Sequence, residues 1–152
     1  MSAERFISFQ FCDDIRQEVG NKFSLIGCYG TEILVSTIPA ALPKLCSAIK
    51  IYTPVSRPFT KLTLRLLRGD SVVAELTFPP ESLAVLPPLV EGARWLTIVG
   101  ALVMAPFPVE EPCTLRVEAE TEEGVIHGGS IWIKAANLDM TPSAQVTVTQ
   151  GQ

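Results

Sequence analysis

The sequence predicts an all-β protein, an antiparallel β-sandwich of about eight strands, and three observations carry that expectation. Apolar side chains recur at every second residue along most of the chain, which places them on one face of a strand and leaves the other to water. Gly, Pro, Asn and Asp punctuate these runs at short intervals, in the manner of turns. The helical period is almost absent. Hydrophobic residues are 47% of the 152 and charged residues 18%, the balance of a folded chain. A chain of this length buries about 70% of the surface its unfolded form exposes, enough for one self-supporting core.

The strands are expected at residues 5–12, 22–36, 44–53, 60–68, 71–78, 94–104, 113–121 and 125–134. The first two frame the segment FCDDIRQEVGNKFSLIGCYG (11–30), which gathers two cysteines, carboxylates and bases and so looks like a site. It reads more simply as a hairpin. Ile7, Phe9 and Phe11 alternate into Cys12, the chain turns through DDIRQEVGN, and Phe23, Leu25 and Tyr29 resume on a second strand. Gly20-Asn21 tolerates the positive φ such a turn needs, and the fold-back brings Cys12 near Cys28.

In KLTLRLL the leucines Leu62, Leu64 and Leu66 alternate with Lys61, Thr63 and Arg65. For them to share a face with Val72, Ala74, Leu76 and Phe78, the loop at RGDS (68–71) must hold an odd number of residues, as in a three-residue loop with a bulge. Turn chemistry accounts for that tetrapeptide better than its likeness to a cell-adhesion tripeptide. Pro79, Pro80, Pro87 and Pro88 make 78–92 a long connection between sheets, with at most one helical turn at PESLAV. RWLTIVGALVM (94–104) is apolar on both faces, as a central covered strand would be. In CTLRVEAE, Leu115, Val117 and Ala119 point inward, and EAETEEG (118–124) reads as an exposed strand face and turn. A two-residue turn at Glu123-Gly124 leaves Ile131 and Ile133 on the wrong parity, so one residue must be absorbed by a bulge at Gly128-Gly129. Residues 1–135 form the single domain, an immunoglobulin-like or C2-like sandwich. The tail 136–152 is disordered or an edge strand through Val146 and Val148.

Charge and motifs exclude more than they assign. The net charge is −4 and no run of Lys or Arg exists to neutralise phosphates, so neither nucleic acid nor an anionic membrane is an expected partner. No apolar segment reaches about 18 residues and no signal-type leader opens the chain, so a soluble cytoplasmic protein is expected. Cys12, Cys28, Cys46 and Cys113 read as four free thiols. Zinc wants paired ligands such as Cys-x-x-Cys, and none occurs. Asp13, Asp14 and Glu18 could attract calcium, but the chain has no second acidic cluster of the kind a calcium-docking sandwich shows, and a solvated charged turn is the better account of them. His127 lacks a nucleophile and acidic orienter in any recognisable spacing, and no phosphate-cradling glycine loop appears. No cofactor, metal or catalytic residue is assigned, and the chain is read as a non-enzyme.

The segment CDDIRQEVGNKFSLIGCYG followed by LPKLC (42–46) resembles a family of uncharacterised bacterial proteins, a domain of unknown function. The residues that carry the resemblance are Lys22, Ser24, Leu25, Ile26, Gly27 and Pro43. It implies a compact bacterial β protein and brings no catalytic residue. Two functions follow as expectations. The first is a non-enzymatic protein-binding or assembly module that meets a protein partner or itself through sheet edges and loops. The alternative is a small-ligand or carbohydrate-binding domain, or a hydrolytic one, at the end carrying Cys28, Tyr29, Trp95 and His127. Asp13, Asp14, Glu18, Tyr29, Trp95 and His127 are the candidate contacts.

Overall fold

Alternation along each strand yields two sheets whose dry faces meet. The computed structural model describes residues 4–84 and 90–136. One sheet has the order β2 (Lys22–Cys28), β1 (Phe6–Glu18), β5 (Leu45–Pro54), β8 (Trp95–Met104). The other has the order β3 (Glu32–Val35), β11 (Gly124–Ala135), β10 (Cys113–Thr121), β6 (Leu62–Arg68), β7 (Ser71–Phe78). A short pair, β4 (Ala40–Leu42) with β9 (Phe107–Val109), lies beside them, and α1 (Pro80–Ala84) is the one helical turn anticipated at PESLAV.

The core lies between the sheets. Phe11, Ile49, Ile51 and Leu102 from the first face Leu62, Leu64, Leu66, Leu115, Val117 and Ile133 from the second, all buried in one cluster. Each such side chain taken from water contributes roughly 1.5–3 kcal/mol, which is why the period-two pattern dominates the architecture. The fold is all-β and sandwich-like, and the 78–92 connection does cross from one sheet to the other, its residues 85–89 lying outside the described ones. The tail from 137, including Val146 and Val148, also lies outside them.

Several expectations need correction. Eleven strands occur among the described residues, and one pairing is parallel, β3 with β11. The expected 22–36 strand is broken at Tyr29-Gly30, so β2 serves one sheet and β3 the other. Asp13–Glu18, expected as a turn, continues β1, because Glu18 pairs with Lys22 and the reversal needs only residues 19–21. The turn at RGDS holds two residues, Gly69-Asp70, and the odd residue is taken up by a bulge between β6 and β7. Beyond that bulge Val72 pairs with Leu67 and turns outward, while Ala74, Leu76 and Phe78 keep the face of the leucines. The β10–β11 turn is Glu122-Glu123, since Thr121 pairs with Gly124.

The bulge at Gly128-Gly129 stands where parity put it, opposite Val117. A Cβ on Gly128 would lie 2.8 Å from the Val117 carbonyl oxygen, a contact that backbone cannot relieve. The acidic face is not all exposed: Glu118 is only 9% exposed, its carboxylate 3.6 Å from His127 Nδ1. Glu120 is held by Lys61 and Arg65. The 94–104 segment is correctly a strand but not a central one. β8 closes one side of its sheet, and its outward residues Trp95, Val99 and Val103 are 37%, 47% and 56% exposed.

Candidate functional site

β1 is long enough to do two jobs. From Phe6 to Cys12 it pairs with β5, and from Cys12 to Glu18 with β2, so that only Cys12 is paired on both sides. From there the β1–β2 hairpin forms an arm that folds over the outer face of its own sheet. Register puts Ile15 opposite Leu25 and Gln17 opposite Phe23 on one side of the arm. Ile15, Gln17 and Phe23 enclose a crevice of about 110 Å³ with Ala48, Val99 and Ala101 beneath them. Gly27 makes the bend at the arm's base feasible: its φ is 66°, and a Cβ there would fall 2.1 Å from Asp13 Oδ2.

Beside this crevice a cleft of about 330 Å³ opens between arm and sheet, lined by Ser8, Gln10, Phe23, Cys28, Lys50 and Tyr52 among others. A third hollow of about 220 Å³ sits at the arm's tip against Lys22 and Asn21. All three share Phe23 and Val99. Gln10 shapes the floor, its amide donating to the carbonyls of Phe11 and Tyr29 at 2.9 and 2.7 Å. At the other end of this face Phe6 stacks on Tyr52 with centroids 4.4 Å apart and meets Trp95 edge-on at 5.3 Å.

Of the residues singled out by sequence, Asp13 and Tyr29 meet and the others stand apart. Asp13 accepts a hydrogen bond from the Tyr29 hydroxyl. Asp14 pairs with Lys44 Nζ at 2.8 Å, which holds its carboxyl below the usual range. Glu18 accepts from the Ser24 hydroxyl at 3.0 Å and lies 3.6 Å from Arg16. Each acid is thus committed to a different partner, and among the described residues no three His, Cys, Asp or Glu converge on a point where a metal ion could sit. Burial first, then the bond to Asp13, pushes the Tyr29 hydroxyl up to about 12. Trp95 and Cys28 share the outer face but stand eight positions apart along it, about 26 Å at the rise of a strand. His127 is on the other sheet, in a separate hollow of about 490 Å³ beside Arg5 and Glu123.

Three of the four thiols lie in one row. Cys12 is the direct partner of Cys28 on one side and of Cys46 on the other. Cys12 and Cys46 are fully buried where the arm crosses, whereas Cys28 is exposed and Cys113 half-buried; all four are free. Burial first, then the neighbouring Cys46 and Cys28, pushes the Cys12 thiol up to about 11. An aromatic disulfide reagent at pH 8 should therefore label Cys28 rapidly and leave Cys12 and Cys46 unmodified until the protein is denatured, as mass spectrometry of the adducts would read. Equal rates at Cys12 and Cys28 would mean that the arm lifts from the sheet.

Sequence reasoning missed Lys50 and Val99, which only strand order makes into neighbours of the arm. The one available signal was an apolar period on both faces of 94–104, which marked a surface without saying what covers it. No family model, curated protein or solved structure matches this chain in comparisons with each. Among the described residues no helix is long and apolar enough to cross a membrane.

Proposed function

We propose that this chain is a non-enzymatic protein-binding or assembly module of a bacterial cytoplasm, in keeping with the family that its N-terminal third resembles, and that it works by strand addition at β8. The observation that carries the reading is the edge itself. β8 runs for ten residues, WLTIVGALVM, with no charged residue and no proline, and among the described residues it pairs only with β5. Open edges are ordinarily guarded by charge, proline or brevity, because their unpaired N–H and C=O groups template another strand. The other edges here are guarded: β2 carries Lys22, β7 carries Glu75, and β3 has four residues and Glu32. An incoming strand gains backbone hydrogen bonds and lays alternate side chains beside Val99 and Val103.

The test compares wild type with Val99→Lys, which sets a charge on the outward face of β8. Wild type should self-associate with concentration in light scattering, or retain a protein that Val99→Lys does not, while both give the same strand-type circular dichroism. A wild type that stays monomeric and retains nothing that the variant fails to retain would overturn the reading.

A further inference from the structure

The chain carries 16 acidic residues against 12 Lys and Arg, yet the hollows under the arm are lined by Lys50 and Lys22 and by no carboxylate. Most of the other cations lie against a carboxylate. Arg5 pairs with Glu122, Arg16 with Glu18, Lys44 with Asp14, Lys61 with Glu120, Arg65 with Glu75 and Lys134 with Glu32. Lys50 and Lys22 have no ion-pair partner among the described residues. Lys50 lies on β5 with Ser8 of β1 on one side and Val99 of β8 on the other, and its side chain lines the cleft. Phe23 and Tyr52 line the same cleft.

We infer that this cleft binds a small organic anion, a carboxylate or sulfonate on an aromatic or branched apolar body, with Lys50 meeting the charge and Phe23, Tyr52 and Val99 holding the body. The volume, about 330 Å³, is at the lower end of small-molecule sites and suits one such molecule. A single point-charge lysine, with no arginine fork lining the cleft, favours a monoanion over a phosphate chain. An apolar wall lowers the local dielectric and strengthens the ion pair relative to open solvent. The inference stands apart from strand addition at β8.

The test titrates the folded full chain with 8-anilinonaphthalene-1-sulfonate and with its uncharged counterpart N-phenyl-1-naphthylamine, following probe fluorescence. Wild type should show one saturable site that prefers the sulfonate. Lys50→Met should weaken the sulfonate about fivefold, the scale of one partly exposed ion pair, and leave the neutral probe unchanged. Lys50→Arg should restore the preference, which separates loss of charge from a disturbed fold. Absence of saturable binding, equal affinity for the two probes, or an equal loss for both in Lys50→Met would overturn the inference.

Discussion

Leu64→Ala should lower the unfolding free energy by about 2–5 kcal/mol, the range for emptying a buried leucine site, and Gly100→Ala introduced into that variant should return part of the loss. Leu64 is completely buried on β6, between its partners Leu76 on β7 and Ala119 on β10. Across the sandwich it meets the bare backbone of Gly100 on β8: a Cβ at that glycine would lie 2.7 Å from Leu64 Cδ1 and 3.3 Å from side-chain atoms of Leu76 and Phe78. Leucine and glycine fit as a large residue and a small one across facing layers. Gly100→Ala alone should destabilise by overpacking. With Leu64 truncated the worst contact is gone, the new methyl enters vacated space, and the loss of a glycine stiffens the unfolded chain in the protein's favour. Urea unfolding of the four proteins gives the cycle, with an expected coupling on the order of 1 kcal/mol. Strictly additive effects would mean that the two residues do not share that space.

Arg5→Met should cost on the order of 3 kcal/mol at pH 7, and the gap to wild type should narrow in acid. The Arg5 side chain is only 4% exposed. Its guanidinium donates to Thr53 Oγ1 at 3.0 Å, to the Arg57 carbonyl at 3.0 Å and to Glu122 Oε1 at 2.5 Å, and it lies 4.4 Å from the centre of the Phe59 ring. One side chain thereby ties the start of β1 to the loop after β5 and to the β10–β11 turn. Removing it leaves a part-buried carboxylate without its cation, though backbone N–H groups of Thr60 and Lys61 still donate to Glu122 at 3.2 Å. Burial alone would raise the Glu122 carboxyl, but the bond from Arg5 and those backbone donors outweigh it and the net shift is downward. A carboxyl with a depressed folded value contributes stability above its unfolded value, near 4.5, and loses it as pH falls through the folded one. Wild type should therefore lose this increment below about pH 4.5, whereas Arg5→Met has little of it to lose. Urea midpoints at pH 7 and pH 3 measure both gaps. An equal gap at the two pH values would assign Arg5's role to packing and neutral hydrogen bonds alone.

Much of the architecture was legible because it depends on local alternation. Leu62, Leu64 and Leu66, or Leu115, Val117 and Ala119, can face only one way once their strands exist, and parity alone located the bulge at Gly128-Gly129. What stayed hidden depends on strand order. The apolar alternation of 94–104 is the same whether the strand is central or at an edge, and only the ordering of β2, β1, β5 and β8 decides that Val99 and Val103 meet water. Asp13–Glu18 looked like a turn because its side chains are charged, yet an arm with one wet face admits charges on that face. The candidate site suffered most. Asp13, Asp14, Glu18, Tyr29, Trp95 and His127 are chemically distinctive residue by residue, but beyond the Asp13–Tyr29 pair the fold gives each a different partner, while Lys50 and Val99 are unremarkable in the sequence and become neighbours only through β5 and β8.

The parallel contact between β3 and β11 sets a schedule for the newborn polypeptide. Val35 finds its partner in Ala135, one hundred positions later, so β3 leaves the ribosome long before the segment it will lie against has been made. At roughly 5–20 residues per second the wait is about 5–20 s, during which Ile33 and Val35, wholly or almost wholly shielded at the end, have no surface to shelter them. Sheet completion therefore waits for β11 to be made, and chains interrupted before residue 124 would leave these side chains open to aggregation.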